Sequence, residues 1–148
     1  MAAIAELMDL TALDRVECLR LLGSGGFGRV VCTDGALPTA EPVSFLLDRE
    51  EVVVRASAGG RLAGAAKNAV VAFQVDEIDS AMCTGWSVLG IGRAYEISGP
   101  RRLAELSQQH HLATAPGRSS IVIAVPLWRL SGRRLRVGGD DREAVPSI

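Results

Sequence analysis

The chain predicts a small, mainly β barrel, on three observations. About six short segments rich in strand-favouring residues follow one another closely, several joined by tight turns such as Asp34-Gly35. One helix-like segment follows the third strand and another follows the fifth. Strand segments such as Ala69 to Val75 (AVVAFQV) are apolar on both faces, which suits strands covered twice. Aromatic content is only 4%, thin for a self-contained barrel core. Burial in a dimer is therefore expected as a second source of stability.

At 148 residues the chain suits one domain with a single core. Apolar residues make up 48% and the net charge is −1, which argues against disorder and against gripping nucleic acid by overall charge. No apolar run is long enough to cross a bilayer, and the N-terminus lacks the basic-then-apolar order of a signal peptide. A soluble cytoplasmic protein with no membrane partner is the expectation. Cys18, Cys32 and Cys83 are odd in number and lack CxxC spacing, so they read as structural thiols rather than a disulfide or zinc framework.

In chain order, Met1 to Leu10 reads as a loose helix. Asp14 starts a firmer one: Glu17 three residues on completes a capping-box pattern, Leu13 and Cys18 form a staple, and Gly23 is the stop. Gly23 to Val30 (GSGGFGRV) matches GxGxxG and the glycine-rich loop of kinases. Its context excludes both, because it follows a helix and opens a strand, and Lys67 is the only lysine. Gly28 to Thr33 and Pro38 to Leu47 read as a hairpin, with Pro42 implying an edge or a bulge. Asp76 to Ser80 reads as a loop. Gly85 to Ser98 reads as one long strand whose Trp86, Val88, Gly90, Gly92, Ala94 and Glu96 share a face open to close approach. Ser98-Gly99-Pro100 opens a helix with proline at its first position. His110 and His111 are adjacent and diverge by about 100° on a helix, so they do not readily share a metal. Ser119 to Trp128 is a sixth strand interrupted by Pro126; Ser131-Gly132 turns into a short strand from Arg133 to Val137.

The chemistry centres on Glu50 to Asn68 (EEVVVRASAGGRLAGAAKN). Val52 to Val54 favour a strand, Ala58-Gly59-Gly60 a turn, and Arg61 to Lys67 a short helix. Alternation puts Val53, Arg55 and Ser57 on one strand face, so a guanidinium and a hydroxyl converge on the helix start beside Arg61. Such a set suits a phosphate. An ordinary strand-turn-helix with two solvated arginines is the alternative.

The order of motifs resembles the pyridoxamine 5′-phosphate oxidase-like family of FMN-binding split barrels. The residues that carry it are DRVECLRLLGSGGFGRVVCTDG, PTAEPVSFLLD, VVVRASAGGRLAGA, VAFQVDEID, TGWSVLGIGRAYEI and VIAVPLWRLSGRRL, spanning roughly residues 10 to 137. The resemblance implies a six-stranded antiparallel split β-barrel of Greek-key type with short flanking helices, over residues 13–137. Residues 1–12 would be an N-terminal extension and 138–148 a flexible tail. It further implies a homodimer with two flavin sites at the subunit interface. Arg55, Ser57 and Arg61 would hold the phosphate end, with Leu62 beside them in the cofactor site and the backbone of Val54 to Ala56 facing the flavin ring. Val75, Asp76, Trp86 and Ser87 would border the site, and Trp128 would reach it across the interface. The implied cofactor is FMN, with a deazaflavin as alternative, and the implied activity is oxidoreduction of a small-molecule substrate without a single catalytic side chain. A non-catalytic flavin carrier or sensor is the other reading. A haem-binding barrel would need His110 or His111 at its mouth. Related sequences commonly carry a hydroxyl residue and lysine where this chain has Gly60-Arg61, which implies a lost phosphate hydrogen bond offset in part by a bidentate arginine. The extra C-terminal substrate residues of true pyridoxamine phosphate oxidases are missing.

Overall fold

The computed structural model describes residues 8–109 and 119–137. Nine strands form one antiparallel sheet that curls into a half-barrel: β1 (Met8–Leu13), β2 (Gly26–Asp34), β3 (Leu37–Asp48), β4 (Glu51–Ser57), β5 (Val70–Asp79), β6 (Thr84–Arg93), β7 (Tyr95–Glu96), β8 (Ser120–Pro126) and β9 (Arg129–Val137). Their spatial order is β1-β9-β6-β5-β2-β3-β4-β8-β7. Among the described residues three short helices flank it: α1 (Arg15–Leu22), α2 (Arg61–Ala66) and α3 (Pro100–Leu106). The split-barrel class expected from the sequence is the one observed, with nine strands rather than six.

Local chemistry accounts for the helix ends. The Asp14 carboxylate accepts from the Glu17 amide at 2.9 Å, and the Gly23 N–H closes α1 on the carbonyls of Leu19 and Arg20. Leu13 and Cys18 pack in the same apolar cluster, as a staple requires. Arg15 Nη1 donates to the Leu127 carbonyl at 2.9 Å and fastens α1 to the β8–β9 connection. The β2–β3 hairpin turns at Asp34-Gly35, where Gly35 adopts φ 64°.

Four expectations change. Met8 to Leu10 belong to a strand, because β1 pairs with β9 from the far end of the chain; residues 1–7 lie outside the described residues. Asp76 to Asp79 continue β5 in register with Thr84 to Ser87 instead of forming a loop. The long strand from Gly85 divides at Ala94, whose N–H and C=O bond to Ala69 and Asn68; β6 then pairs with β5 and β9, whereas β7 pairs with β8. The last strand starts at Arg129, with Ser131 and Gly132 inside it opposite Leu89 and Val88.

The core has two parts. Inside the barrel, Phe45 and Phe73 meet edge to face at 4.7 Å among Val30, Val52, Val54, Val71, Val88 and Val125. Beneath α3, Leu46, Val53, Ile97, Leu106, Val122 and Ala124 form the second. Strand β4 lies between the two parts, which is why Val52, Val53 and Val54 are all fully buried. Strand β5 does not match the expected double cover within one chain: Val71, Phe73 and Val75 are buried, while Val70 on the other face is 53% exposed.

The Arg49-Glu50 connection between β3 and β4 holds both residues in the left-handed region, at φ 53° and 57°. Side chains with a Cβ are disfavoured there by about 1–2 kcal/mol each, and a two-residue hairpin of this kind prefers Asn-Gly. Replacing the pair by Asn-Gly is expected to raise stability by about 1 kcal/mol after the glycine entropy is counted. Chemical denaturation of the two proteins checks it.

Candidate cofactor-binding site

Pairing between β3 and β4 ends at Phe45↔Val54. Beyond that pair the strands part, and a cavity of about 340 Å³ opens between Glu41 to Ser44 of β3 and Arg55 to Ser57 of β4. The turn into α2 closes its end with Gly60, Arg61 and Leu62. Pro42, which has no N–H to donate, lies on this stretch of β3, where β2 is its only paired neighbour.

Arg55, Ala56, Ser57, Arg61 and Leu62, all foreseen as site residues, thus line one cavity. Arg55, half-buried in the cavity lining, donates Nη1 to Ser120 Oγ on the neighbouring strand β8 at 3.0 Å. Arg61 is 62% exposed at the rim, with Nε 3.3 Å from Asp34 Oδ2 and Nη1 3.9 Å from Glu41 Oε1. Two guanidinium groups and a hydroxyl around a space of this size fit a phosphoryl group, whose oxygens accept charge-assisted hydrogen bonds. Glu41, Pro42, Ser44 and Ser120 escaped the sequence reading. Only Pro42 carried a signal, as a mark of an unpaired strand segment.

The other foreseen residues lie elsewhere. The side chains of Val54 and Val75 are buried in the barrel core, so of Val54 only the main chain can border a ligand. Asp76 lines a second cavity of about 300 Å³ with Phe27, Gly28, Arg29, Pro42 and Gln74. Ser87 lines a third of about 350 Å³ with Ala12, Gln74, Leu89, Ser131, Gly132 and Arg133. Pro42 is shared by the first two cavities and Gln74 by the last two, so all three follow one another across the outer sheet face. Trp86 is half-buried against the core, and Trp128 is 62% exposed after β8. His110 and His111 lie outside the described residues. Burial raises the thiol pKa of Cys18 and of Cys32, consistent with packing roles.

The family model of pyridoxamine 5′-phosphate oxidase matches residues 14–134. The chain belongs to that family. Protein Rv0080 of Mycobacterium tuberculosis is 36% identical over 108 residues, covering 70% of this chain and 71% of its own. The solved structure of a FAD binding protein from Mycobacterium smegmatis superposes with a TM-score of 0.78 at 31% identity, covering 86% of this chain and 100% of that one. A FAD-binding protein from Mesorhizobium loti reaches 0.65 at 21% identity, over 86% of this chain and 98% of that one, and speaks for the fold alone. Members of the pyridoxamine 5′-phosphate oxidase family among these neighbours are flavin-binding proteins. No helix among the described residues is long and apolar enough to cross a membrane.

Proposed function

We propose that this chain binds a flavin by its phosphoryl end in the cavity between β3 and β4 and serves as a flavin-dependent oxidoreductase for a small molecule. The observation that carries the reading is the convergence of Arg55, Ser57 and Arg61 on one cavity where the sheet splits. The FAD binding protein of M. smegmatis, 31% identical, supports a flavin as the occupant. FMN and a deazaflavin each present a phosphoryl group to these side chains. A bound flavin would supply the redox chemistry, while the chain supplies binding, orientation and electrostatics. Arg55 would fix the phosphoryl group, and the main chain from Val54 to Ala56 would border the ring.

A homodimer belongs to the same reading. Ala72, Leu89 and Ile91 are half-buried on the outer face, Val70 is exposed beside them, and a second copy seated there would supply the cover that β5 lacks. Carrier or sensor is the second reading, favoured by the lining of the cavity: none of the acids or bases that line it is buried.

The experiment is reconstitution with FMN, FAD or a deazaflavin, followed by anaerobic titration with NADH or NADPH and reoxidation by a panel of small-molecule acceptors. Retained visible absorbance that bleaches with a donor and recovers with an acceptor supports the enzyme. Retained absorbance that no donor bleaches supports the carrier. Absence of any retained flavin overturns both, and light scattering of the same sample reports the dimer.

A further inference from the structure

The cavity beside Pro42 has a composition of its own. Arg29 and Phe27 project from β2 on the outer face, in register with Pro42 and Ser44 of β3. The Arg29 guanidinium is exposed and has no hydrogen-bond or ion-pair partner among the described residues. Phe27 is 79% exposed, an unusual position for a large aromatic ring beside a cation. Strand β2 is two places from β4 in the sheet, and the cavity beside Arg29 shares Pro42 with the cavity beside Arg55.

Charge argues in the same direction. A terminal phosphomonoester carries about −1.5 to −2 at neutral pH. The first cavity answers with Arg55 and Arg61, but Arg61 already faces Asp34 and Glu41, and Glu41 lines the cavity itself. Such a setting compensates one negative charge better than two. A pyrophosphate diester distributes its charge as one on each phosphoryl group, and the second would fall toward Arg29, whose cavity also takes Asp76 in its lining. Beyond it, the exposed face of Phe27 offers a stacking platform for a base, which accepts any aromatic ring system without hydrogen-bond readout.

We propose that Arg29 and Phe27 form a second subsite, for the distal phosphoryl group and the base of a pyrophosphate-linked dinucleotide. The chain accordingly prefers FAD to FMN. This inference rests on the flavin reading above. Both residues are exposed, so Arg29→Ala and Phe27→Ala leave the core intact.

The test is fluorescence titration of wild type and the two variants with FAD and with FMN. Wild type is expected to bind FAD about tenfold or more tightly than FMN, the value of one charged hydrogen bond. Either substitution should remove most of that margin while FMN affinity stays within about twofold, which is within the scatter of surface changes. Equal affinity of wild type for the two flavins, or a margin that survives both substitutions, overturns the subsite and leaves the flavin reading standing. Binding of neither flavin by wild type overturns both.

Discussion

Gly92→Val is expected to prevent the half-barrel from closing. A Cβ at Gly92 would fall inside the van der Waals envelope of the Pro126 carbonyl oxygen and 2.8 Å from its carbon. The obstacle is main chain on both sides, so no side chain can swing away. Ordinary overpacking costs about 1–3 kcal/mol because neighbours shift rotamers; here β6 and β8 must separate. Separation would expose Val88 and Val125, both fully buried. The expected loss exceeds about 3 kcal/mol, a large share of a typical 5–15 kcal/mol total. Gly64→Ala is the companion variant, since a Cβ there meets nothing within 4 Å. It should leave stability unchanged or raise it by up to about 1 kcal/mol through helix propensity. Equal melting of Gly92→Val and wild type would show that β6 and β8 are not in tight contact.

Arg102→Met carries the second large expectation. Arg102 projects from α3, is 14% exposed, and donates Nε to Asp48 at 3.0 Å, Nη1 to the Tyr95 hydroxyl at 2.8 Å and Nη2 to Glu51 at 2.9 Å. Tyr95 in turn donates to Glu51. Burial alone would lower the Arg102 pKa, but the hydrogen bonds to Glu51, Tyr95 and Asp48 outweigh it and hold the guanidinium above its ordinary value. For Tyr95, burial and then the Glu51 carboxylate push the phenol up, so the hydroxyl stays a donor. Removing the cation leaves two carboxylates facing each other in the gap between α3 and the β3–β4 hairpin. Breaking a buried pair costs about 3–5 kcal/mol. Glu51 is 19% exposed and Asp48 31%, which places the expectation near the lower figure. For a chain of this size that is a fall in melting temperature on the order of 10 °C. Adding Glu51→Gln to Arg102→Met should restore part of the loss, because one uncompensated charge goes with it. A double variant no more stable than the single would assign the cost to lost packing of the arginine stem instead.

The legible parts of the fold were those settled by neighbours in sequence. Asp14, Gly23, the Asp34-Gly35 turn and Pro100 each act over a few residues and were read correctly, although the Glu17 carboxylate pairs with Arg20 instead of closing the capping box. Ala94 shows the opposite case. Apolar alternation runs through it unbroken, and the strand divides only because Asn68 and Ala69 claim its backbone groups. Strand β1 depends on a partner more than a hundred residues away, and its own pattern carried no hint of that. Asp76 to Asp79 looked like a solvated loop because their charges face outward, yet the backbone pairs with Thr84 to Ser87. The site divides in the same way. Arg55, Ser57 and Arg61 are near in sequence and were legible, while Glu41 and Ser44 reach the cavity from β3 and Ser120 holds Arg55 from β8. Gly92 lies between: its small size announced a close approach, and the sheet shows the neighbour to be Pro126.

Titration of FMN and of FAD into wild type and Arg55→Ala tests the central claim most directly. Arg55 lines the cavity and is held by Ser120 of β8, and a phosphoryl group in the cavity should take a charged hydrogen bond from it. Its loss should weaken both flavins by about 1.5–3 kcal/mol, or roughly tenfold to a hundredfold. An Arg55→Ala protein that binds both flavins as wild type does would contradict the account.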